Sequence, residues 1–204
     1  MTRKPREFSP HSDEVLRLAF DYFEYHLRMF ADTAIWLESR QPQYPDWERP
    51  QRTIEYNAVL ESCLLHARVA VEFLYAEHRR LENDVIALDY FYDAPQSQRY
   101  NPRAYSFPDI DNFISGIGKC VAHITTGPMP KLISEVDWKL WPMASPLFGL
   151  FGKFRVLVPP SRVDAAHVNA CLAHFDRLGE ALGGKPPASF GPTSGFSVST
   201  APDH

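Results

Sequence analysis

Three charged residues of one predicted helix have the types and spacing of a small binding site. At about 100° per residue, Glu61, Arg68 and Glu72 fall on one narrow stripe of a helix over residues 51–80 whose other positions are mostly apolar. Arg68 and Glu72 are four residues apart, the spacing of an ion pair on a helix. This stripe is the solvated edge of a central helix, a charged groove that binds a ligand, or a contact with a second copy.

Two histidines on predicted helices are further candidates. His66 lies on the opposite, apolar face of the same helix, and His123 lies near the end of a predicted helix over residues 109–125. A buried histidine beside a carboxylate titrates near neutral pH, as general acids and bases do. If the two histidines met, they would line a small-molecule pocket together with Glu61 and Arg68. The sequence leaves that pairing open.

Familiar motifs for metals, phosphates and nucleophiles are missing from the sequence. The chain has no HExxH and no Glu-x-x-His, the spacings that bind zinc or a di-metal centre. Gly116 and Gly118 resemble a fragment of a phosphate loop, but they lie inside a helical seam. Cys63, Cys120 and Cys171 are far apart, which argues against a disulfide framework. We therefore predict no metal site and no cofactor.

Helices must position all of these candidates, because apolar residues recur at three- and four-residue spacing along the chain. The first series runs from about Ser12 to Ser39 and includes Val15 and Leu16 as expected core residues. No segment shows clear period-two alternation. We predict an all-α, up-and-down-like bundle with four main helices at about 12–39, 51–80, 109–125 and 162–182, and short helices at 85–91, 131–138 and 144–156.

Composition and charge limit the domain organisation and the partners. We predict a flexible arm at 1–11, a single helical domain at 12–184, and a disordered tail at 185–204 that is rich in Pro, Ser and Gly. The net charge of −4 lacks the basic excess of a dedicated nucleic-acid-binding protein, although a local basic patch is compatible with it. No apolar stretch is long and uncharged enough for a membrane span, which predicts a cytoplasmic protein without a membrane partner.

Three segments resemble an uncharacterised bacterial all-helical family: Asn57–Tyr75, Asn83–Phe91 and Ile117–Thr125. The His-Ile-Thr sequence at residues 123–125 also resembles HEPN domains, which are helical bundles common in toxin–antitoxin and abortive-infection systems. The second resemblance implies an RNase or an RNA-binding protein of phage defence.

The RNases of the HEPN group carry an arginine four to six residues before a histidine. No arginine has that spacing before His123, whereas Arg162 and His167 do, as do Arg6 and His11. Chance alone predicts about two such pairs in a chain of this composition. The spacing alone is therefore no evidence, but Arg162 and His167 lie at the start of a predicted helix and join His123 as catalytic candidates.

The leading hypothesis from the residues themselves is a helical binding or assembly module that forms a homo-oligomer or binds a protein. Its contact surface would be the polar stripe or the aromatic segment Asp89–Tyr105, which combines tyrosines with Arg99 and Arg103. The same segment could instead be a lid packed on the bundle. The alternatives are the HEPN-like protein acting on RNA and a small-molecule-binding bundle. A flat apolar outer face would favour assembly, and a closed apolar cavity would favour a small ligand.

Overall fold

The computed structural model describes residues 8–40, 50–95, 99–102 and 140–183 of the 204-residue chain. The predicted helices at 109–125 and 131–138 lie outside the described residues, as do His123, Cys120, most of the predicted arm and the predicted tail. The proposed extent of the single domain therefore stays a prediction.

Every regular element within the described ranges is a helix, and none of those ranges contains a strand. The predicted all-α class is confirmed. The elements are α1 (Asp13–Arg40), α2 (Pro50–Tyr75), a short 3₁₀-helix (Ala87–Phe91), α3 (Leu140–Leu157) and α4 (Ala165–Ala181). None of these helices is long and apolar enough to cross a membrane.

Helix α1 lies between α2 and α4 and packs against both. The Ser12 hydroxyl accepts a hydrogen bond from the backbone N–H of Val15 at 3.3 Å, and acidic residues fill the first turn. The core face of α1 is buried at Leu16, Phe20, Phe23, Leu27, Phe30, Ala31, Ala34 and Leu37. Val15, which the periodicity assigns to the core, is instead 42% exposed.

Phe154 of α3 lies at the centre of an aromatic core. Its side chain is fully buried, and its ring centroid lies 5.9 Å from Phe20, 5.9 Å from Phe73 and 5.3 Å from Tyr90. Such ring pairs stabilise a core by roughly 0.5–1.5 kcal/mol each beyond the burial of their area. These rings fill the space between α3 and the helices α1 and α2.

The described part of the aromatic segment after residue 87 packs on the bundle as a lid. Tyr90, Phe91 and Tyr100 are at most 2% exposed. The Tyr90 hydroxyl donates to the carbonyl of Leu16 at 2.6 Å, and the Tyr100 hydroxyl donates to the carbonyl of Leu74 at 2.8 Å. These buried hydroxyls are therefore satisfied by α1 and α2. Arg103 and Tyr105 lie outside the described residues.

Two helix boundaries differ from those that apolar periodicity predicts: the end of α2 and the start of α4. Side-chain hydrogen bonds to the backbone lie at both. Helix α2 ends at Tyr75 rather than near residue 80. Beyond its end, the Asp84 carboxylate accepts the backbone N–H groups of Arg80 and Leu81 at 3.0 and 2.8 Å, which a longer helix would bond to its own carbonyls. Helix α4 begins at Ala165 rather than at residue 162, because Asp164 caps it. Gly183 follows α4 with φ of 65°, a left-handed conformation that suits glycine at a helix end.

Candidate functional site

An apolar series covers the outer face of α1, opposite its core face. Val15, Leu18, Tyr22 and Tyr25 are exposed by 42%, 56%, 60% and 43%, and the half-buried Met29 continues the series. The steps of three, four, three and four residues are those of the contact positions in a coiled coil. We call these five residues the outer seam. A helix that needed to bury only one face would carry polar residues here.

Helices α2 and α4 lie on either side of the outer seam. His26 of α1 contacts His66 of α2, whereas Glu24 of α1 contacts His167 of α4. At about 100° per residue, His26 and Glu24 lie on opposite flanks of the seam. Leu65 of α2 is 47% exposed, which widens the apolar surface. The three helices therefore form a layer whose outer surface is apolar along its middle.

A close pair of histidines lies on the α2 flank. The Nδ1 atoms of His26 and His66 are 2.8 Å apart, and the Tyr25 ring packs edge-on against both imidazoles at centroid distances of 5.4 and 5.8 Å. One ring donates this hydrogen bond and the other accepts it, so the two hold different tautomers. Burial lowers the pKa of both histidines. Sequence analysis singled out His66 but not its partner, which lies 40 residues earlier.

A groove of about 610 Å³ opens beside His26, between α1, α2 and the connection that follows α2. Phe23 and Phe73 contribute apolar surface to it. At its rim the Glu72 carboxylate pairs with Arg68 at 3.1 Å and with Arg80 at 3.4 Å. Of the predicted polar stripe, Glu72 thus lines the groove and Arg68 binds Glu72.

Glu61 is exposed elsewhere on α2 and does not line that groove. The four predicted ligand-binding residues are therefore not all brought together. His66 reaches the groove only through its contact with His26, and Glu61 faces solvent.

A carboxylate and two histidines tie α4 to the other flank of the seam. Glu24 pairs with His167 at 2.8 Å and with His174 at 3.3 Å, and the second ring nitrogen of His167 lies 3.2 Å from Asp21. Burial disfavours the charge of Glu24, but the hydrogen bonds with the two histidines outweigh it and lower the pKa of this carboxyl. The hydrogen bond with Glu24 raises the pKa of His167. His167 thus has a carboxylate at each ring nitrogen. This arrangement favours a protonated imidazole that links α4 to α1, rather than a neutral imidazole that acts as a general base.

Arg162 lies in a separate cluster, where it is 4% exposed. Its Nε donates to Asp13 at 3.0 Å, Nη1 donates to the Tyr90 carbonyl at 2.6 Å, and Nη2 donates to Asp93 at 2.6 Å. The Tyr92 ring centroid lies 4.3 Å from its guanidinium carbon. Hydrogen bonding with Asp93 raises the pKa of Arg162. Arg162 therefore joins the start of α1, the 3₁₀-helix and the segment before α4.

The catalytic candidates do not form one described site. Arg162 binds Asp13 and Asp93, whereas His167 binds Asp21 and Glu24. Within the described ranges, no group of three or more His, Cys, Asp or Glu side chains could hold a metal ion.

The outer seam is the feature that sequence analysis missed. Its residues are interspersed along the chain with the buried core residues of α1. The sequence therefore shows one continuous apolar pattern, although the helix has two separate apolar faces. The signal that could have found it is the regular alternation of three- and four-residue steps from Val15 to Met29.

Comparison with known proteins identified no relative of this chain. No family model, curated protein or solved structure matches this chain.

Proposed function

We propose that this chain is a helical assembly module that pairs with a second copy through the outer seam of α1. The observation that carries this proposal is the exposure of four large apolar side chains at coiled-coil spacing on one helix face. With Leu65, they expose on the order of 500 Å² per copy, comparable to the largest patch on a typical monomer and often functional. Pairing would remove this surface from water.

An antiparallel arrangement of two α1 helices suits the charges beside the seam. Asp21 and Arg28 are exposed and lie on the same flank, seven residues apart. In an antiparallel pair, each flank faces the same flank of the other helix, so Asp21 of one copy lies beside Arg28 of the other. The same register places Leu18 against Met29 and Tyr22 against Tyr25. The opposite charges and four of the five seam residues are then matched by a two-fold axis, while Val15 lies beyond the matched apolar layers, opposite Asp32.

The size of this surface indicates a reversible dimer. Two copies would bury on the order of 1,000 Å² of apolar side chain, near the lower limit for specific interfaces. The pairing should therefore depend on protein concentration.

The other two hypotheses have weaker support. The HEPN-like alternative requires an arginine and a histidine that converge in a cleft; of its candidates, Arg162 and His167 each bind their own carboxylates, and His123 lies outside the described residues. The small-molecule alternative predicts a closed apolar cavity, whereas the groove beside His26 is open to solvent. A cytoplasmic location stays a prediction, and the free, buried thiols of Cys63 and Cys171 are compatible with a reducing compartment.

A matched pair of leucine substitutions tests the proposal. Leu18 lies in the outer seam and is 56% exposed, whereas Leu157 ends α3, which packs on the core face of α1, and is 40% exposed. We expect light scattering of the wild type to rise with concentration toward twice the 23.3 kDa chain mass. Leu18→Ser should remain at the mass of one chain over the same concentrations, and Leu157→Ser should match the wild type. A wild type that stays monomeric, or a Leu18→Ser variant that pairs normally, contradicts the proposal.

A further inference from the structure

The groove between α1 and α2 opens on the same side of the bundle as the outer seam. Tyr22 belongs to the seam and also lines the groove, so the two surfaces are continuous. Phe23 and Phe73, whose ring centroids are 4.5 Å apart, contribute apolar surface inside it. Ala19 and Ala76 line it too, and their small side chains leave room between the two helices. A side chain of a second copy could be buried there.

Leu65 is an exposed apolar side chain of α2 on this same side of the bundle. The contact between His26 and His66, together with that between the two groove phenylalanines, shows that α2 runs antiparallel to α1. These contacts place Leu65 about level with Met29 of α1. At about 100° per residue, Leu65 lies a quarter turn from His66, on the outer face of α2, where it is 47% exposed.

The register proposed for the dimer brings Leu65 of one copy over the groove of the other. In that register Met29 faces Leu18 of the other copy, and the α2 flanks of the two copies face each other. The backbone N–H of Ala76 donates to the Glu72 carbonyl at 3.2 Å, so Ala76 continues the last turn of α2 to about the level of Leu18. Leu65 therefore lies opposite Ala76 of the other copy, and the two-fold axis repeats the contact.

The charges near Leu65 agree with this arrangement. In the same register, Arg68 of one copy is about level with Glu72 of the other copy. The hydrogen bond between these two side chains within one chain, at 3.1 Å, shows that both lie along the same edge of α2. The antiparallel pair therefore places opposite charges side by side, whereas a parallel pair would place like charges together.

We propose that Leu65 of each copy is buried in the groove of the other copy, between Ala19 and Ala76. This inference rests on the proposed function, because it uses the register of the outer seam. The seam alone buries an area near the lower limit for specific interfaces, and the two leucine contacts enlarge it. They also fix the register, since a shift by one heptad would move Leu65 about 10 Å along the groove and away from the alanines.

Disulfide cross-linking between two variants tests the contact. One full chain carries Leu65→Cys and the other Ala76→Cys, both with Cys120→Ser, so that the remaining native thiols, Cys63 and Cys171, are buried. The variants are mixed and oxidised at a concentration at which the wild type is paired. We expect the mixture to form a covalent dimer on a non-reducing gel about tenfold faster than either variant alone. Either variant alone places its two thiols about 16 Å apart across the two-fold axis, which is too far for a disulfide.

Leu65→Ser gives a second measurement that needs no cross-link. We expect light scattering to show pairing weakened about tenfold or more, because the leucine side chain is no longer buried, while Leu157→Ser pairs like the wild type. Circular dichroism verifies that each variant is folded. If the wild type pairs but the mixture cross-links no faster than the single variants, or Leu65→Ser pairs normally, this inference is overturned and the proposed function stands. A monomeric wild type overturns both.

Discussion

Replacing Arg162 by methionine should destabilise the protein strongly, because it keeps an unbranched apolar stem but removes the guanidinium group. The carbonyl of Tyr90, which accepts a hydrogen bond from Nη1 at 2.6 Å, would lose its charged donor. An unsatisfied buried polar group costs about 1–3 kcal/mol. The Asp13 and Asp93 side chains are 42% and 57% exposed, so they would regain water and add little. With the lost contact to Tyr92, we expect the free energy of unfolding to fall by about 2–4 kcal/mol.

Urea unfolding followed by circular dichroism measures this loss. At a slope of about 2–3 kcal/mol per molar urea, the midpoint should fall by about 1 M with an unchanged slope. Arg177→Met is the matched control, since Arg177 pairs with Asp32 where both side chains are about half exposed. That variant should lose less than about 1 kcal/mol. If Arg162→Met were as stable as the control, Arg162 would not be the anchor that we infer.

Two further substitutions probe the core and the α4 flank. Phe154→Ala should lower the free energy of unfolding by about 3–5 kcal/mol in urea, because it opens a cavity in a fully buried ring cluster, and a loss below about 2 kcal/mol would contradict that packing. His167 has a pKa raised above 6.5 in the folded state, so its stabilisation is complete below pH 6.5 and is lost as the pH rises through the folded pKa. His167→Gln should therefore be less stable than the wild type at pH 6, by less than about 1 kcal/mol, and the gap should narrow by pH 9. A gap that widens with pH would mean that the folded-state pKa is lowered.

Local patterns predicted helix type well and helix ends less well. The series from Ser12 to Ser39 predicts α1 to within one residue at each end, because its cap and its apolar spacing agree. The Asp84 carboxylate binds backbone N–H groups just beyond the end of α2, and Asp164 caps the start of α4. These hydrogen bonds join groups two to four residues apart and compete locally with helical hydrogen bonds, so apolar periodicity does not reveal them.

Less of the candidate site could be predicted from the sequence, because the residues that meet in it are far apart along the chain. The pairs His26–His66 and Glu24–His167 span 40 and 143 residues, so no local spacing reveals them. Arg162 was singled out for its distance from His167 along the chain. In the structure, it is held instead by carboxylates from two other segments. The outer seam was visible in the sequence, but it could be recognised only after the core face of α1 was known.

The adjacency of the first and last described helices has a consequence for synthesis of the chain. Helix α1 leaves the ribosome early, but α4, which packs along its flank, ends at Ala181. At 5–20 residues per second, the 141 residues between the ends of α1 and α4 take about 7–28 seconds to synthesise. Helix α2 is complete much earlier and can cover part of the core face, but the outer seam stays exposed throughout this interval. We expect such a nascent chain to be prone to aggregation until it pairs with a second copy or binds a chaperone.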